Sequence, residues 1–373
     1  MARTKRILIL TSNYGHASMA EAVEESLVKV GQVKVVNVAE SSNGSVIFGF
    51  FYRYAPSLFK YVYQLGRIKA GGRIYDNLSG LLKFRKDIVK EISGFKPDLV
   101  INTNYSFEYQ ISRARRKHRF VYFNLVHEAW AEHPILYSKT ADLNLVYDRK
   151  GARIAKKYGV KKTAEIGWLV RERFYQKKVT NSDWARMGFK RGVPTVLLFA
   201  GSDGANAILK ILPAILSVKK RVQIIAVVGR NESLYYVLQS VSKIFGKSVA
   251  VWESRVKIKV LRYVKDVERY MAMADLVMGR AGPQTLFESV AAGKPFLVLT
   301  HMSGHQDNVL EVVKKKNLGV VQERAKRAER VFLDWLSSPG KWRRYQKGVE
   351  RERKENMQAG KKLERQVREY LGI

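Results

Sequence analysis

The sequence predicts an α/β chain in two domains, and three observations predict it. Short apolar runs of strand length recur along the chain: Ile7-Leu8-Ile9-Leu10, Phe120 to Val126, Ala141 to Val146, Val193 to Phe199, Ile224 to Val228 and Phe296 to Leu299. Helical patterns separate these runs, which is the signature of a parallel sheet covered by helices. Several runs end in glycine-containing turns, at Gly15, Gly201, Gly229 and Gly279. In such sheets that edge is where ligands bind. With 373 residues, 46% of them hydrophobic, the chain can bury two cores. Two α/β domains are therefore the expectation.

Ile7 to Leu10 is the first strand, and Ala17 to Val30 reads as a helix with Ala20, Val23, Leu27 and Val30 on one face. His16 sits in the turn between them. An imidazole titrates near neutrality and can take a proton from an alcohol; a histidine in such a turn also serves as a cap or a surface residue. From Val46 to Ile68 the chain is crowded with aromatic and basic residues, including Phe50, Phe51, Tyr52, Arg53, Phe59, Lys60 and Tyr61. Rings and cations on a segment too short to span a bilayer suit a helix resting on anionic lipid. A helical hairpin packed on the core fits the same pattern. Glu128 follows the strand that ends near Val126 and reads either as a site carboxylate or as a solvated loop residue.

The second half opens on a polar stretch, Gln176 to Gly192, and its first strand runs into Ala200-Gly201-Ser202-Asp203-Gly204. Those glycines and Ser202 allow a close approach to phosphate. Another strand ends in Gly229-Arg230-Asn231. In Ala274 to Asn308, a strand at Asp275 to Met278 stops at Gly279-Arg280-Ala281-Gly282, and Pro283 takes the first position of a helix with Leu286, Phe287 and Val290 on its apolar face. Gly293 and Pro295 end the helix. Its N-terminus offers unpaired N–H groups and the positive dipole end to an anion such as a diphosphate. Glu288 lies one turn beyond Gln284 on the same face, where a carboxylate can accept both hydroxyls of a ribose. An ordinary βαβ unit uses glycines in the same way, so both readings stand on these residues alone. His301 and His305 read as loop-surface residues. Beyond Arg324 the chain is charged and helical; Lys341 to Ile373 holds 11 basic and 5 acidic residues, with Trp342, Tyr345, Leu363, Val367, Tyr370 and Leu371 available for one apolar side.

The string GRAGPQTLFESVAAGKPFLVL resembles the donor-binding motif of the GT-B glycosyltransferases of family 28, G-G-x-x-T-x-x-E-x-x-x-x-G-x-P. Gly282, Thr285, Glu288, Gly293 and Pro295 fit it, and Ala281 stands at the first glycine. That family includes monogalactosyldiacylglycerol synthases, processive diacylglycerol glucosyltransferases and the N-acetylglucosaminyl transferase that makes lipid II. ILILTSNYGHASMAEAV is similar to the diacylglycerol glucosyltransferase opening, though its loop is about two residues shorter and keeps one glycine. FKPDLVIN resembles the family's K-P-D-x-V-I strand, and IGWLVRERF its joint between domains, with Trp168-Leu169 in place of the usual residues. His127-Glu128 is similar to the lipid II enzyme, while Trp130, His133 and Pro134 are similar to the galactolipid synthases.

The resemblance implies a GT-B fold, two Rossmann-like domains facing across a cleft. Residues 1–170 would form the acceptor and membrane side and 171–338 the UDP-sugar side, and 339–373 a basic helix returning to the first domain. His16 is implied as the base, with Glu128 orienting it or binding an acceptor hydroxyl. The donor is implied to lie on Gly201, Ser202, Arg230, Val264 in the uracil loop, Ala281, Gly282, Pro283, Gln284, Thr285 and Glu288, with Gln306, Asp307 and Asn308 contacting the sugar. Phe50 to Arg53 and Phe59 to Tyr61 would touch the acceptor and the membrane. The implied reaction needs no metal and no cofactor, only a UDP-hexose as donor and diacylglycerol as acceptor.

Composition sets the remaining bounds. Lysine and arginine number 68 against 33 acidic residues, a formal charge of +35. Such an excess implies an acidic partner, anionic lipid or nucleic acid. No zinc finger, RNA-recognition signature or KH loop accompanies it, so nucleic acid is not expected. Without cysteine there is no disulfide framework, and the six histidines show no close pairing of metal-ligand type. No run reaches the roughly 18 apolar residues of a membrane span, and the start has no signal-peptide layout. The expectation is a cytoplasmic protein, peripheral on the inner face of the membrane, that glycosylates diacylglycerol. Lipid II formation is the alternative through His127-Glu128, and a non-catalytic basic binding protein the second alternative through the shortened loop at His16.

Overall fold

The computed structural model describes residues 3–38, 87–200, 206–247, 255–302, 304 and 306–373. The aromatic segment with Phe50, Phe51, Tyr52, Arg53, Phe59, Lys60 and Tyr61 lies outside the described residues, as do Gly201, Ser202 and His305.

In chain order the first half contains β1 (Arg6–Thr11), α1 (Gly15–Leu27), β2 (Gln32–Asn37), α2 (Ile88–Phe95), β3 (Leu99–Asn102), α3 (Glu108–Arg115), β4 (Val121–Leu125), β5 (Leu143–Val146), α4 (Arg149–Lys157) and β6 (Thr163–Glu165). The second half begins with α5 (Arg173–Gln176), α6 (Asn181–Met187), β7 (Thr195–Phe199), α7 (Asn206–Leu216), β8 (Val222–Val227), α8 (Glu232–Lys247), β9 (Val256–Leu261) and α9 (Val267–Met273). It continues through β10 (Leu276–Arg280), α10 (Pro283–Ala291), β11 (Phe296–Thr300), α11 (Asp307–Lys315), β12 (Gly319–Val321), α12 (Ala325–Ser337) and α13 (Arg343–Asn356), and ends in α14 (Ala359–Leu371). The strands form two six-stranded sheets, in the orders β2-β1-β3-β4-β5-β6 and β12-β11-β10-β7-β8-β9. Every pairing is parallel. The chain divides into a first unit of Met1–Glu172, Met302–Val309 and Glu355–Ile373, and a second of Arg173–His301 and Leu310–Lys354.

Central strands are apolar without alternation because helices cover both faces of a parallel sheet. Ile7, Leu8, Ile9 and Leu10 are fully buried, and all six residues of β8 are buried. The edge strands read differently. Lys257 and Lys259 of β9 are exposed between less exposed residues, and β2 is mostly half-buried. Lysine on an edge strand discourages pairing with other chains, and the interruption also hides such strands from a search for apolar runs.

Helix α1 buries Ala20, Val23 and Leu27 as the spacing predicts, but it ends three residues before Val30. The reason is the sheet. Gln32 N–H donates to Lys5 O at 2.8 Å to start β2 beside β1, so the chain must turn before Gly31. In the second unit Gly279 of β10 lies opposite Phe199 of β7. A Cβ on Gly279 would stand 2.5 Å from Phe199 O, so only glycine allows the two strands this approach.

The stretch that leaves the first unit is buried at Ile166, Trp168, Leu169 and Val170. Trp168 packs edge-on against Tyr147, its N–H donates to Asn356 Oδ1 at 2.8 Å, and Arg171 Nη1 pairs with Glu21 at 2.9 Å. Helix α14 belongs to the same unit and buries Ala359, Leu363, Val367 and Leu371, one residue per turn. Gly360 lets it lie close on α1, because a Cβ there would meet Ser26 Oγ at 2.7 Å. Trp342 and Tyr345 instead join the core of the second unit with Phe332 and Trp335.

Candidate active site

Open parallel sheets bind ligands beyond the carboxyl ends of their strands, where the strand order reverses. In the first sheet that point lies between β1 and β3, since β2 continues to one side and β3 to the other. His16, expected in the turn after β1, is the second residue of α1, because the helix begins two residues earlier than the apolar spacing suggests, and the connection after β3 carries Thr103, Asn104 and Tyr105. They meet. His16 Nδ1 lies 2.6 Å from Thr103 O. A carbonyl oxygen can only accept, so Nδ1 holds the hydrogen and Nε2 is the nitrogen with the lone pair. Thr103 is anchored in turn, its hydroxyl donating to Thr11 Oγ1 at 2.9 Å, while Asn104 Nδ2 donates to Ser12 Oγ at 2.8 Å.

The turn after β4 adds a second imidazole. His127 is buried, with its ring centroid 4.2 Å from that of His16 and 5.7 Å from the stacked ring of Tyr105. The sequence matches His127 to the lipid II enzyme without giving it a place beside His16; the signal was its position two residues after the buried strand β4, at the same edge of the sheet. Glu128 is 2% exposed, which overturns its reading as a solvated loop carboxylate. Asn308 donates to Ala129 O at 3.0 Å and stands 3.4 Å from Glu128 Oε2.

In the second sheet the order reverses between β7 and β10. Beyond β10, Gly282 caps α10 with extended backbone and Pro283 occupies the first helical position. The anion site there is narrower than the sequence suggests. Ala281 N–H donates to Thr300 O at 2.9 Å and Gly282 N–H to Arg280 O at 2.8 Å, and Pro283 has no N–H. The first-turn amides that precede the intrahelical bonds belong to Gln284 and Thr285, the second and third residues of α10. Gln284 and Glu288 are both buried on one face, with Gln284 Nε2 at 3.4 Å from Glu288 Oε1. Burial lowers the pKa of Arg280 at the end of β10.

The neighbouring loops carry the remaining candidates. Arg230, after β8, stacks over Tyr263, after β9, at 5.7 Å, which joins the two loops just before the half-buried Val264. Gln306 and Asp307 brace their own turn: Gln306 Oε1 accepts from Met302 N at 2.9 Å and Asp307 Oδ1 from Gly304 N at 3.1 Å. His301 is not a surface residue. Its side chain is 14% exposed and Nδ1 lies 2.7 Å from Glu323 Oε1, a pairing between the ends of β11 and β12 that no local pattern announces. Among the described residues no group of three or more His, Cys, Asp or Glu is placed to hold a metal ion.

Residues 195–335, from the first residue of β7 into α12, match the glycosyltransferase family 28 C-terminal domain. This chain carries that domain. Most of the chain is similar to the processive diacylglycerol beta-glucosyltransferase of Bacillus subtilis (strain 168), 24% identical over 343 residues that cover 87% of this chain and 85% of the relative. A shorter likeness joins it to the UDP-N-acetylglucosamine--N-acetylmuramyl-(pentapeptide) pyrophosphoryl-undecaprenol N-acetylglucosamine transferase of Desulfitobacterium hafniense (strain DSM 10664 / DCB-2), 33% identical over 140 residues, 37% of this chain and 34% of that one. Among solved structures, MurG of Acinetobacter baumannii superposes with a TM-score of 0.58 at 16% identity, over 94% of this chain and 95% of its own. Two six-stranded parallel sheets flanked by helices, matched over nearly the full chain, make the fold GT-B. The matched residues include the whole second sheet and α10 between β10 and β11, so the buried Gln284 and Glu288 lie within the match.

Proposed function

We propose that this chain is an inverting glycosyltransferase that moves a hexose from a UDP-sugar to diacylglycerol at a membrane surface. The observation that carries the reading is the tautomer forced on His16. With Nδ1–H committed to Thr103 O, Nε2 accepts the proton of the acceptor hydroxyl. The deprotonated oxygen attacks the anomeric carbon, the bond from that carbon to the diphosphate breaks, and UDP departs with the electron pair. The Gln284 and Thr285 amides and the dipole of α10 stabilise the charge that develops on the diphosphate. Glu288 holds the ribose hydroxyls. The reaction needs no metal in this reading, because the helix terminus takes the part of the counter-charge.

Diacylglycerol is favoured as acceptor because the likeness to the diacylglycerol beta-glucosyltransferase runs through both halves of the chain. The likeness to the undecaprenol-linked transferase covers about a third, which keeps a lipid-linked muramyl peptide as the second reading. A charge of +35 suits docking on anionic lipid at the cytoplasmic face. No helix among the described residues is long and apolar enough to cross a membrane. The test is product formation from UDP-glucose, UDP-galactose or UDP-N-acetylglucosamine with anionic vesicles containing diacylglycerol, read by lipid mass. A glycosyl-diacylglycerol is expected; UDP binding with no lipid product from any donor overturns the reading.

A further inference from the structure

Helix α1 is entered through a residue that neither packing nor backbone preference favours. Tyr14 holds φ 61° and ψ −126°. Glycine enters that combination freely, whereas a residue with a Cβ enters it only under strain. The ring is 66% exposed, so burial does not offset the strain. A glycine stands one position later, at Gly15, yet the strain falls on the tyrosine.

The conformation is imposed from both sides. Before Tyr14, Asn13 Oδ1 accepts from Asn37 Nδ2 at 3.1 Å and Ser12 Oγ from Asn104 Nδ2 at 2.8 Å. After it, Ser18 N donates to Tyr14 O at 3.2 Å and the His16 ring is tied to Thr103 O. Four bonds thus fix the segment from Ser12 to Ser18, and the strained residue in the middle has no freedom to relax. Strain held in this way is common where a side chain must be presented rather than packed. What Tyr14 presents is an amphipathic ring, two residues before the proton-accepting imidazole. Such a ring suits a boundary between acyl chain and polar head.

We propose that Tyr14 is an acceptor-positioning residue, whose ring lies along the ester shoulder of the diacylglycerol and holds its free hydroxyl toward His16 Nε2. The proposal rests on the glycosyl-transfer reading above and adds to it the residue that recognises the lipid. The ring face, and not the phenol hydroxyl, makes the contact, so phenylalanine serves as well as tyrosine. Glycine at the same place relaxes the backbone and removes the contact. Stability and acceptor recognition are therefore set against each other at one position.

The experiment compares Tyr14→Gly, Tyr14→Ala and Tyr14→Phe with the unaltered protein by thermal unfolding and by steady-state kinetics on vesicles of graded diacylglycerol content. Tyr14→Gly is expected to raise Tm by roughly 2–4 °C while raising the apparent KM for diacylglycerol at least about tenfold. The KM for the UDP-sugar should stay unchanged. Tyr14→Ala should raise the same KM without the gain in Tm, and Tyr14→Phe should keep the unaltered KM. A purely structural tyrosine moves Tm alone. An unaltered diacylglycerol KM in Tyr14→Gly overturns the proposal, and so does a parallel rise in the KM for the UDP-sugar. If the unaltered protein makes no glycosyl-diacylglycerol, the functional reading and this inference fall together; if it does and Tyr14→Gly matches it, only the inference falls.

Discussion

The two sheets reverse their strand order in the same manner, between β1 and β3 in the first unit and between β7 and β10 in the second, but they collect different chemistry at those points. The first gathers ionisable rings: His16 bonded to Thr103 O, His127 at 4.2 Å from it, and the buried Glu128 in the same turn. The second offers backbone, in the form of a glycine cap, a proline at the first helical position and the amides of Gln284 and Thr285, with Glu288 buried a turn later. A proton has to move where the acceptor loses it, so titratable groups belong there. A departing diphosphate gains charge but need not exchange a proton, so fixed dipoles are enough to stabilise it. In the proposed reading one topology serves an acid–base site and an anion site, and the difference lies in what the connections carry.

Variants can break this division of labour. The largest effect is expected from His16→Ala, which should lower kcat by about 10²- to 10⁴-fold while leaving UDP affinity intact; a matching loss of UDP affinity would show that the two sites are not separable in this way. Next comes Glu288→Ala, expected to weaken UDP by roughly 10- to 100-fold in calorimetry. Unchanged UDP affinity there removes the ribose role.

Gly279→Ala tests the close approach of β7 and β10. Its Cβ would stand 2.5 Å from Phe199 O, and denaturant titration should show a loss of about 1–3 kcal/mol. The smallest effect concerns the scaffold of the second unit. Hydrogen bonds from the Thr180 backbone and hydroxyl, with Arg186 beside them, lower the pKa of Asp183. A carboxylate lowered on folding contributes stability above its unfolded pKa and loses it as pH falls through the folded one. Asp183→Asn should therefore cost about 0.5–1 kcal/mol at neutral pH. The cost should shrink in acid, as the unaltered carboxylate is protonated too. A cost that persists at low pH would assign Asp183 a packing role instead.

Much of the scaffold was legible in the residues. Buried strands such as Ile7 to Leu10 announce themselves because parallel sheets need apolar residues on both faces. Helix α10 was readable end to end, since Gly282, Pro283 and Gly293 are local signals that act within a few residues of the backbone they shape. The edge strands β2 and β9 were not readable as apolar runs, because lysines interrupt them where one side of the sheet meets solvent.

The sequence by itself determined which segments become the buried central strands, which turns carry glycine, and that a helix N-terminus follows β10. Tertiary structure alone decided that His16 keeps its proton on Nδ1, that His127 lies tilted beside it, that the Ala281 and Gly282 amides are spent inside the fold, and that His301 meets Glu323. The physical reason is the parallel sheet. It brings turns from distant parts of the chain to one edge, and which turns become neighbours depends on strand order, a property of the whole sheet that no single stretch of residues encodes.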